Sequence, residues 1–283
     1  MDEIIVTRGS DEGIDLLIRL FCNARVDAVA AMSPTFGMYR VCAKIQGVEY
    51  ITIELDQNDN YRLDINKVKA SIRPKTKILF LCHPNNPTGN LLNKAEVLSL
   101  CESLRDKCLV VVDEAYIEFS KDNGFCKYIN EYQNLVVLKT MSKAFGLAAA
   151  RIGILIANAE LVSWLKKVLA PYPLAKPAVA EALAALSDEN LVEQKKQIDQ
   201  ILSERDKLAT LLEGLPIVEK VWASDANFLL VKFSTNIMQF CLQNGIVIRS
   251  MEKIVGSDKV FRISIGTTQE METLVTVLRE YNL

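Results

Sequence analysis

Leu138-Lys-Thr-Met-Ser-Lys-Ala-Phe-Gly-Leu-Ala-Ala-Ala-Arg151 holds the lysine around which the rest of the chain is read. Lys143 stands between an apolar run, residues 135–138, and an Ala-rich segment with one glycine. That places it just beyond the end of a buried strand, where open α/β sheets carry their chemistry. A lysine amine is a nucleophile toward carbonyls, and partial desolvation suits it to Schiff-base formation. Thr140, Ser142 and Arg151 add two hydroxyls and a permanent cation, the groups a phosphate dianion needs. Taken alone, the stretch also fits a surface lysine after a strand.

Two further segments end in the same way. Residues 77–82 form an apolar strand that runs into His83-Pro-Asn-Asn-Pro-Thr-Gly-Asn90, a cluster that forces a tight turn. A turn alone explains the prolines and the glycine. It does not explain two adjacent amides, of which Asn86 is suited to donate to a phenolate oxygen. His83 fits a loop residue pointing at solvent as easily as a site residue, and is given no catalytic role. Residues 108–112 are fully apolar, as in a parallel sheet covered on both faces, and end in Asp113-Glu-Ala-Tyr116. An aspartate there is costly unless it meets a cation. A protonated pyridine nitrogen is such a cation, and with Lys143 and the phosphate-suited groups it points to pyridoxal phosphate. Tyr116 is placed to reach the phenolate oxygen of such a ring. A helix N-cap is the other role open to Asp113.

Near the start, residues 2–7 read as a strand, followed by Arg8-Gly-Ser-Asp-Glu-Gly13 and the helical pattern Ile14, Leu17, Ile18, Phe21. Free N–H groups at such a helix start make an anion site. Ser10 and Asp11 also fit as simple N-caps. Residues 28–32 are a further strand. Phe36, in the loop 33–39 beyond it, is suited either to stack on a planar cofactor or to pack in the core.

Composition narrows the function. The 283 residues suit a large core and two domains. A net charge of -2 supplies no basic field for nucleic acid, and no long uncharged apolar run suits a membrane span. Seven cysteines without a CxxC pair read as reduced thiols in a cytoplasmic protein. With one histidine in the chain, His83, a histidine-based metal cluster is excluded, as is a Ser-His-Asp triad elsewhere; no metal is expected.

The helix at residues 159–169 is broken by Ala170-Pro-Tyr-Pro173, and the domain boundary is placed there: 1–172 a large cofactor-binding domain, 173–283 a small one. Strands at 217–223, 228–233, 246–249 and 260–265, with helices at 238–244 and 270–278, suggest a small C-terminal α+β domain. Thr267 and Glu270 form a capping box. Arg249 and Arg262 fall on adjacent strands. They fit surface charges, or a substrate with two anionic groups.

As an ordered set, Thr7-Arg-Gly-Ser-Asp-Glu12, Pro84-Asn-Asn-Pro-Thr-Gly89, Asp113-Glu-Ala-Tyr-Ile-Glu-Phe119, Ser142-Lys-Ala-Phe-Gly146 with Arg151, and Phe261-Arg-Ile-Ser-Ile-Gly-Thr267 resemble fold-type I pyridoxal phosphate aminotransferases. Pro34-Thr-Phe-Gly-Met-Tyr39 and Ala170-Pro-Tyr-Pro-Leu174 resemble the histidinol-phosphate aminotransferase family in particular. The resemblance implies an α/β fold with a mostly parallel seven-stranded sheet flanked by helices. It implies that Lys143 carries the cofactor as a Schiff base, that Asp113 pairs with the pyridine nitrogen, and that Asn86 and Tyr116 meet the O3′ oxygen. Thr140, Ser142, Arg151 and the backbone around Ser10 and Asp11 would bind the phosphate, and Phe36 would take the stacking position. Arg262 would hold the carboxylate of glutamate or 2-oxoglutarate, and Arg249 the phosphate of histidinol phosphate. A homodimer is implied as well.

Members of that family carry a substantial segment before the strand–glycine loop, whereas this chain opens almost at the strand. The expectation is therefore a chain without the N-terminal arm, part of the small domain and a tyrosine that reaches the partner's cofactor phosphate. The alternatives are a related enzyme of the same fold, an aromatic aminotransferase or a phospho-amino-acid decarboxylase, and an inactive truncated member.

Overall fold

The computed structural model describes residues 2–281. In chain order the elements are β1 (Ile4–Thr7), α1 (Ser10–Phe21), β2 (Ala28–Ser33), α2 (Met38–Gln46), β3 (Glu49–Glu54), α3 (Ile65–Ser71), β4 (Thr76–Cys82), α4 (Lys94–Ser103), β5 (Leu109–Asp113), β6 (Leu135–Thr140), β7 (Gly153–Ala157) and α5 (Ala159–Lys166). Then follow α6 (Lys176–Ala185), α7 (Asp188–Glu213), β8 (Val218–Val221), β9 (Phe228–Phe233), α8 (Met238–Gln243), β10 (Arg249–Ser250), α9 (Glu252–Val255), β11 (Val260–Ser264) and α10 (Thr268–Glu280).

Seven strands form one sheet in the order β1-β7-β6-β5-β4-β2-β3. The pairs from β6 to β3 are parallel, and β7 is antiparallel to both its neighbours. The expected mostly parallel seven-stranded sheet is thus present. Its strands are buried on both faces because their side chains alternate between two cores. Ile78 and Phe80 of β4, with Val111 of β5, pack under α1, α2 and α5. Leu79 and Leu81, with Val110 and Val112, face α3, α4 and a second sheet. That sheet, β10-β11-β9-β8, lends Leu230 and Val260 to the same core, and Trp222, just beyond β8, joins them.

Several sequence expectations need adjustment. The segment 33–39 is a loop only as far as Gly37, and α2 begins at Met38. The strand expected at 246–249 is only the pair Arg249–Ser250, and a short helix, α9, follows it. The capping box is present: Thr267 accepts from Glu270 N–H, and the Glu270 carboxylate accepts from Thr267 N–H. Helix α6 follows the expected domain boundary yet packs on the large sheet, through Ala182 against Met141 and Ile152. Along its groove Val6, Leu183 and Leu186 are 39, 67 and 50% exposed. All seven cysteines are free, six of them buried.

Candidate active site

Parallel register brings the chemistry to one edge. Cys82 is paired with Asp113, and Asp113 with Leu138, so the ends of β4, β5 and β6 lie side by side. The segments that continue them carry Asn86, Tyr116 and Lys143. A cleft at this edge is lined by Ser10, Asp11, Phe36, Asn86, Asp113 and Tyr116, together with Thr140, Ser142, Lys143 and Arg151. Every cofactor residue expected from the sequence is therefore in one place. Cys82 and Ala115 complete the lining.

Asp113 is 1% exposed. Its Oδ1 accepts from Ala115 N–H at 3.2 Å, and its Oδ2 from the Tyr39 hydroxyl at 2.9 Å. It caps no long helix. Burial raises its pKa to about 6, against the opposing pull of those two donors. Lys143 is pushed down, chiefly by burial and then by the Arg262 charge, which favours a free amine. Its Nζ lies 5.5 Å from the centre of the Tyr116 ring. Tyr116 packs edge-on against Phe228 of the second sheet, 5.1 Å between centroids, and burial raises its pKa.

The anion end is built from backbone and hydroxyls. Gly9 takes φ 78°, a conformation suited to glycine, and α1 starts immediately after it. Gly9 itself is the N-cap, and α1 has no side-chain cap. The N-cap role open to Ser10 and Asp11 is therefore not used. Asp11 instead meets Arg151, Oδ2 to Nη2 3.3 Å. Arg151 Nη1 donates to Ser142 Oγ at 3.4 Å, and Ser142 N–H donates to Thr140 Oγ1 at 3.1 Å. A side chain on Gly153, at the start of β7, would come 2.2 Å from the Gly9 carbonyl carbon, so this close approach demands glycine.

Asn86 is held from two directions. Asn85 ties its loop to the Phe36 loop: its Oδ1 accepts from Thr35 Oγ1 at 2.8 Å, and its Nδ2 donates to Pro34 O at 2.9 Å. From the second sheet, Arg262 Nη1 donates to Asn86 Oδ1 at 2.8 Å. A guanidinium has no acceptor, so this bond fixes the amide and leaves Asn86 Nδ2 available to donate. Arg249 lies directly across from Arg262 in the register, and both line an adjoining cavity rather than the cleft itself. Nε of Arg262 is buried without a partner.

His83 does not point at solvent. It is 0% exposed, packs edge-on to Phe125, and its Nδ1 accepts from Leu92 N–H at 3.0 Å. Burial lowers its pKa to about 4, so it sits there neutral. Its neighbourhood includes Glu114, also fully buried, which accepts from Phe125 N–H at 2.6 Å and meets Lys139 at 3.1 Å. Sequence reasoning assigned no role to Glu114, Lys139 or Tyr39. For Tyr39 the only signal was an aromatic within a turn-rich segment.

The pocket fits a phosphorylated pyridine aldehyde. It offers a carboxylate with two fixed donors, an amine held toward neutrality, a free amide donor and a cationic helix start. No group of acidic, cysteine or histidine side chains suited to a metal occurs among the described residues, and none of their helices is long and apolar enough to cross a membrane.

A sequence model of the family "Aminotransferase class I and II" matches residues 1–278. A histidinol-phosphate aminotransferase of Francisella philomiragia is 47% identical over 277 residues, 98% of this chain and 77% of that protein. The crystal structure of the histidinol-phosphate aminotransferase from Clostridium acetobutylicum superposes with a TM-score of 0.89 at 26% identity, covering 99% of this chain and 84% of that one. An L-threonine-O-3-phosphate decarboxylase from Porphyromonas gingivalis shares the fold alone, with a TM-score of 0.84 at 21% identity over 99% of this chain and 84% of that one. The chain belongs to the class I and II aminotransferases, enzymes whose cofactor is pyridoxal phosphate.

Proposed function

We propose that this chain moves an amino group between L-histidinol phosphate and 2-oxoglutarate, giving imidazole-acetol phosphate and glutamate in histidine biosynthesis. The observation that carries the proposal is the single cleft shared by Lys143, Asp113, Asn86, Tyr116 and the Ser10–Arg151 anion site, with two registered arginines beside it. Its close likeness to the Francisella enzyme supports the choice of substrate.

Bound pyridoxal phosphate supplies an electron sink for the bond electrons at the substrate Cα. The protein supplies the rest. Lys143 Nζ, biased toward its neutral form, would be the nucleophile that holds the cofactor through its aldehyde. With the cofactor bound, the Lys143 amine would be the group placed to take the substrate Cα proton as a base and to give it back as an acid. Asp113 holds the pyridine nitrogen and its proton. Asn86 Nδ2 and the Tyr116 hydroxyl would hold O3′, and Phe36 would take the stacking position. Thr140, Ser142, Arg151 and the N–H groups at Ser10 and Asp11 anchor the phosphate. Arg262 binds the carboxylate of glutamate or 2-oxoglutarate, and Arg249 the phosphate of the amino-alcohol phosphate. Because one site serves both half-reactions, the kinetics are ping-pong.

We propose further that the enzyme works as a cytoplasmic homodimer with a large domain, 1–172, and a small one, 173–283, whose helix α6 lies against the large sheet. The arginine pair suits other phosphorylated amines too, which keeps a phospho-amino-acid decarboxylase as the second reading. One experiment separates them. The purified protein is mixed with pyridoxal phosphate, and its visible absorbance is followed on adding histidinol phosphate, then threonine phosphate with carbon dioxide detection. Conversion of the cofactor to its amine form by histidinol phosphate supports the aminotransferase. Release of carbon dioxide without that conversion supports the decarboxylase. The expected lysine is checked with Lys143→Ala: a borohydride-reducible adduct surviving in that variant would remove Lys143 from its role.

A further inference from the structure

Tyr39 belongs to none of the strand ends that carry the site. It sits on α2, is 0% exposed, and stacks on Phe80 with 4.7 Å between centroids and 6° between planes. Phe36, the ring that lines the cleft, lies edge-on to it at 5.7 Å. Packing alone is satisfied by phenylalanine here. The hydroxyl is the added element, and a buried tyrosine must give its O–H a partner. That partner is Asp113 Oδ2, at 2.9 Å. With Ala115 N–H on Oδ1, each carboxylate oxygen has one donor fixed within the protein itself.

We propose that Tyr39 is a positioning residue for the cofactor: its hydroxyl fixes the Asp113 carboxylate and keeps it anionic, so that Asp113 holds the pyridine nitrogen in its protonated form. The inference rests on the pyridoxal phosphate site described above. A carboxylate buried this deeply takes up a proton unless donors stabilise its charge. Burial is the largest influence on Asp113, and the Tyr39 bond is the strongest opposing one. The groups that face this pair are Cys82 from the end of β4, Asp11 from α1 and Lys143 from the segment after β6. Asp11 favours a protonated Asp113, and Lys143 an ionised one. Tyr39 is itself held far above its ordinary pKa by burial and by Asp113, so it remains a donor. Without that donor the proton between Asp113 and the ring nitrogen moves toward the carboxylate. The pair becomes neutral, and the ring becomes a poorer electron acceptor.

The test is Tyr39→Phe, which keeps the ring stacked on Phe80. Cofactor-free protein is reconstituted with pyridoxal phosphate carrying an isotopically labelled ring nitrogen, and its chemical shift reports protonation directly. The wild type is expected in the protonated range and the variant displaced toward the unprotonated one. Losing one hydrogen bond to a charged group is expected to weaken cofactor affinity about tenfold and lower kcat about 10- to 100-fold. KM for the amino donor is expected to stay near the wild-type value. In an Asp113→Asn background, Tyr39→Phe is expected to leave cofactor affinity almost unchanged. A variant with the wild-type nitrogen shift and affinity overturns the assignment. So does an equal loss of affinity in the Asp113→Asn background, because Tyr39 would then act by packing. Wild-type protein that takes up no cofactor overturns the underlying site and this inference with it, a result distinct from a normal wild type beside an unchanged variant.

Discussion

Arg262 and Asn86, 176 positions apart in the chain, are joined by a 2.8 Å hydrogen bond from Nη1 to Oδ1. The bond links the second sheet to the loop that lines the cleft. Nε of Arg262 is buried without a partner, and the residue lines the cavity beside the cleft, where we propose that it meets the carboxylate of glutamate. Arg262→Ala is therefore expected to cost about 1.5–3 kcal/mol in kcat/KM for glutamate, the worth of a charge-assisted bond. Steady-state kinetics with glutamate check this, and an unchanged kcat/KM would take Arg262 out of acceptor recognition.

Arg249 is the cross-strand partner of Arg262 and more exposed. Like charges placed directly opposite each other are unfavourable unless an anion joins them. Arg249→Ala is expected to raise KM for histidinol phosphate by an amount corresponding to about 1.5–3 kcal/mol, with little change for glutamate. Equal changes for both substrates would argue that Arg249 contributes only general positive charge.

Asp113 and His83 give the cofactor-free protein opposed pH responses. Asp113 has its pKa raised from 3.8 to about 6, so the folded state keeps a proton that the unfolded chain releases. Its contribution is full below the unfolded value and is lost as pH rises through about 6. His83 has its pKa lowered from 6.5 to about 4, so its contribution is full above the unfolded value and is lost as pH falls toward 4. Each effect is about 3 kcal/mol at most, and they nearly cancel between pH 4 and 6.5. Asp113→Asn should uncover the histidine slope, with stability falling more steeply on acidification than in the wild type. Urea unfolding of both proteins across this range measures it, and parallel pH curves would exclude the Asp113 contribution.

Glu114 is fully buried and shared between Lys139 and the Phe125 N–H. Breaking a buried pair strands the remaining charge. Lys139→Met is expected to destabilise the fold by about 3–5 kcal/mol, whereas a surface pair such as Arg105 with Glu102 is worth under about 1 kcal/mol. Denaturant midpoints of the two single variants, Lys139→Met and Arg105→Met, give the comparison. Similar midpoints would mean that Glu114 takes up a proton when its partner is removed.

The strand-end residues Asp113, Asn86 and Lys143 were legible because each follows an apolar run that only a doubly covered strand accommodates. Tyr39 was not. Helix α2 has nine residues and begins directly after a Pro- and Gly-containing turn, and its Val41 and Ile45 are 43 and 72% exposed, which blurs the apolar face. The burial of His83 was hidden for a different reason. Its neighbours are turn formers, and the ring that buries it, Phe125, comes from a distant part of the chain. Local composition carries no trace of such a contact. The same holds for Asp11, whose capping chemistry gave way to a charge 140 positions away. The reversed direction of β7 has no local signature either.

β1 pairs with β7, Ile4 opposite Ile156, so the strand leading into Gly9 and Ser10 meets its neighbour about 150 residues later. During synthesis β1 emerges before every other strand of this sheet. The anion loop therefore has no sheet to rest on until β7 has left the ribosome, and Gly153 cannot close against Gly9 before then. This is a contact of high sequence separation, the kind that slows folding. Cofactor capture during translation is consequently gated by the last strand of the large sheet to be made, and a nascent chain arrested before residue 157 should release its phosphate-bearing ligand freely.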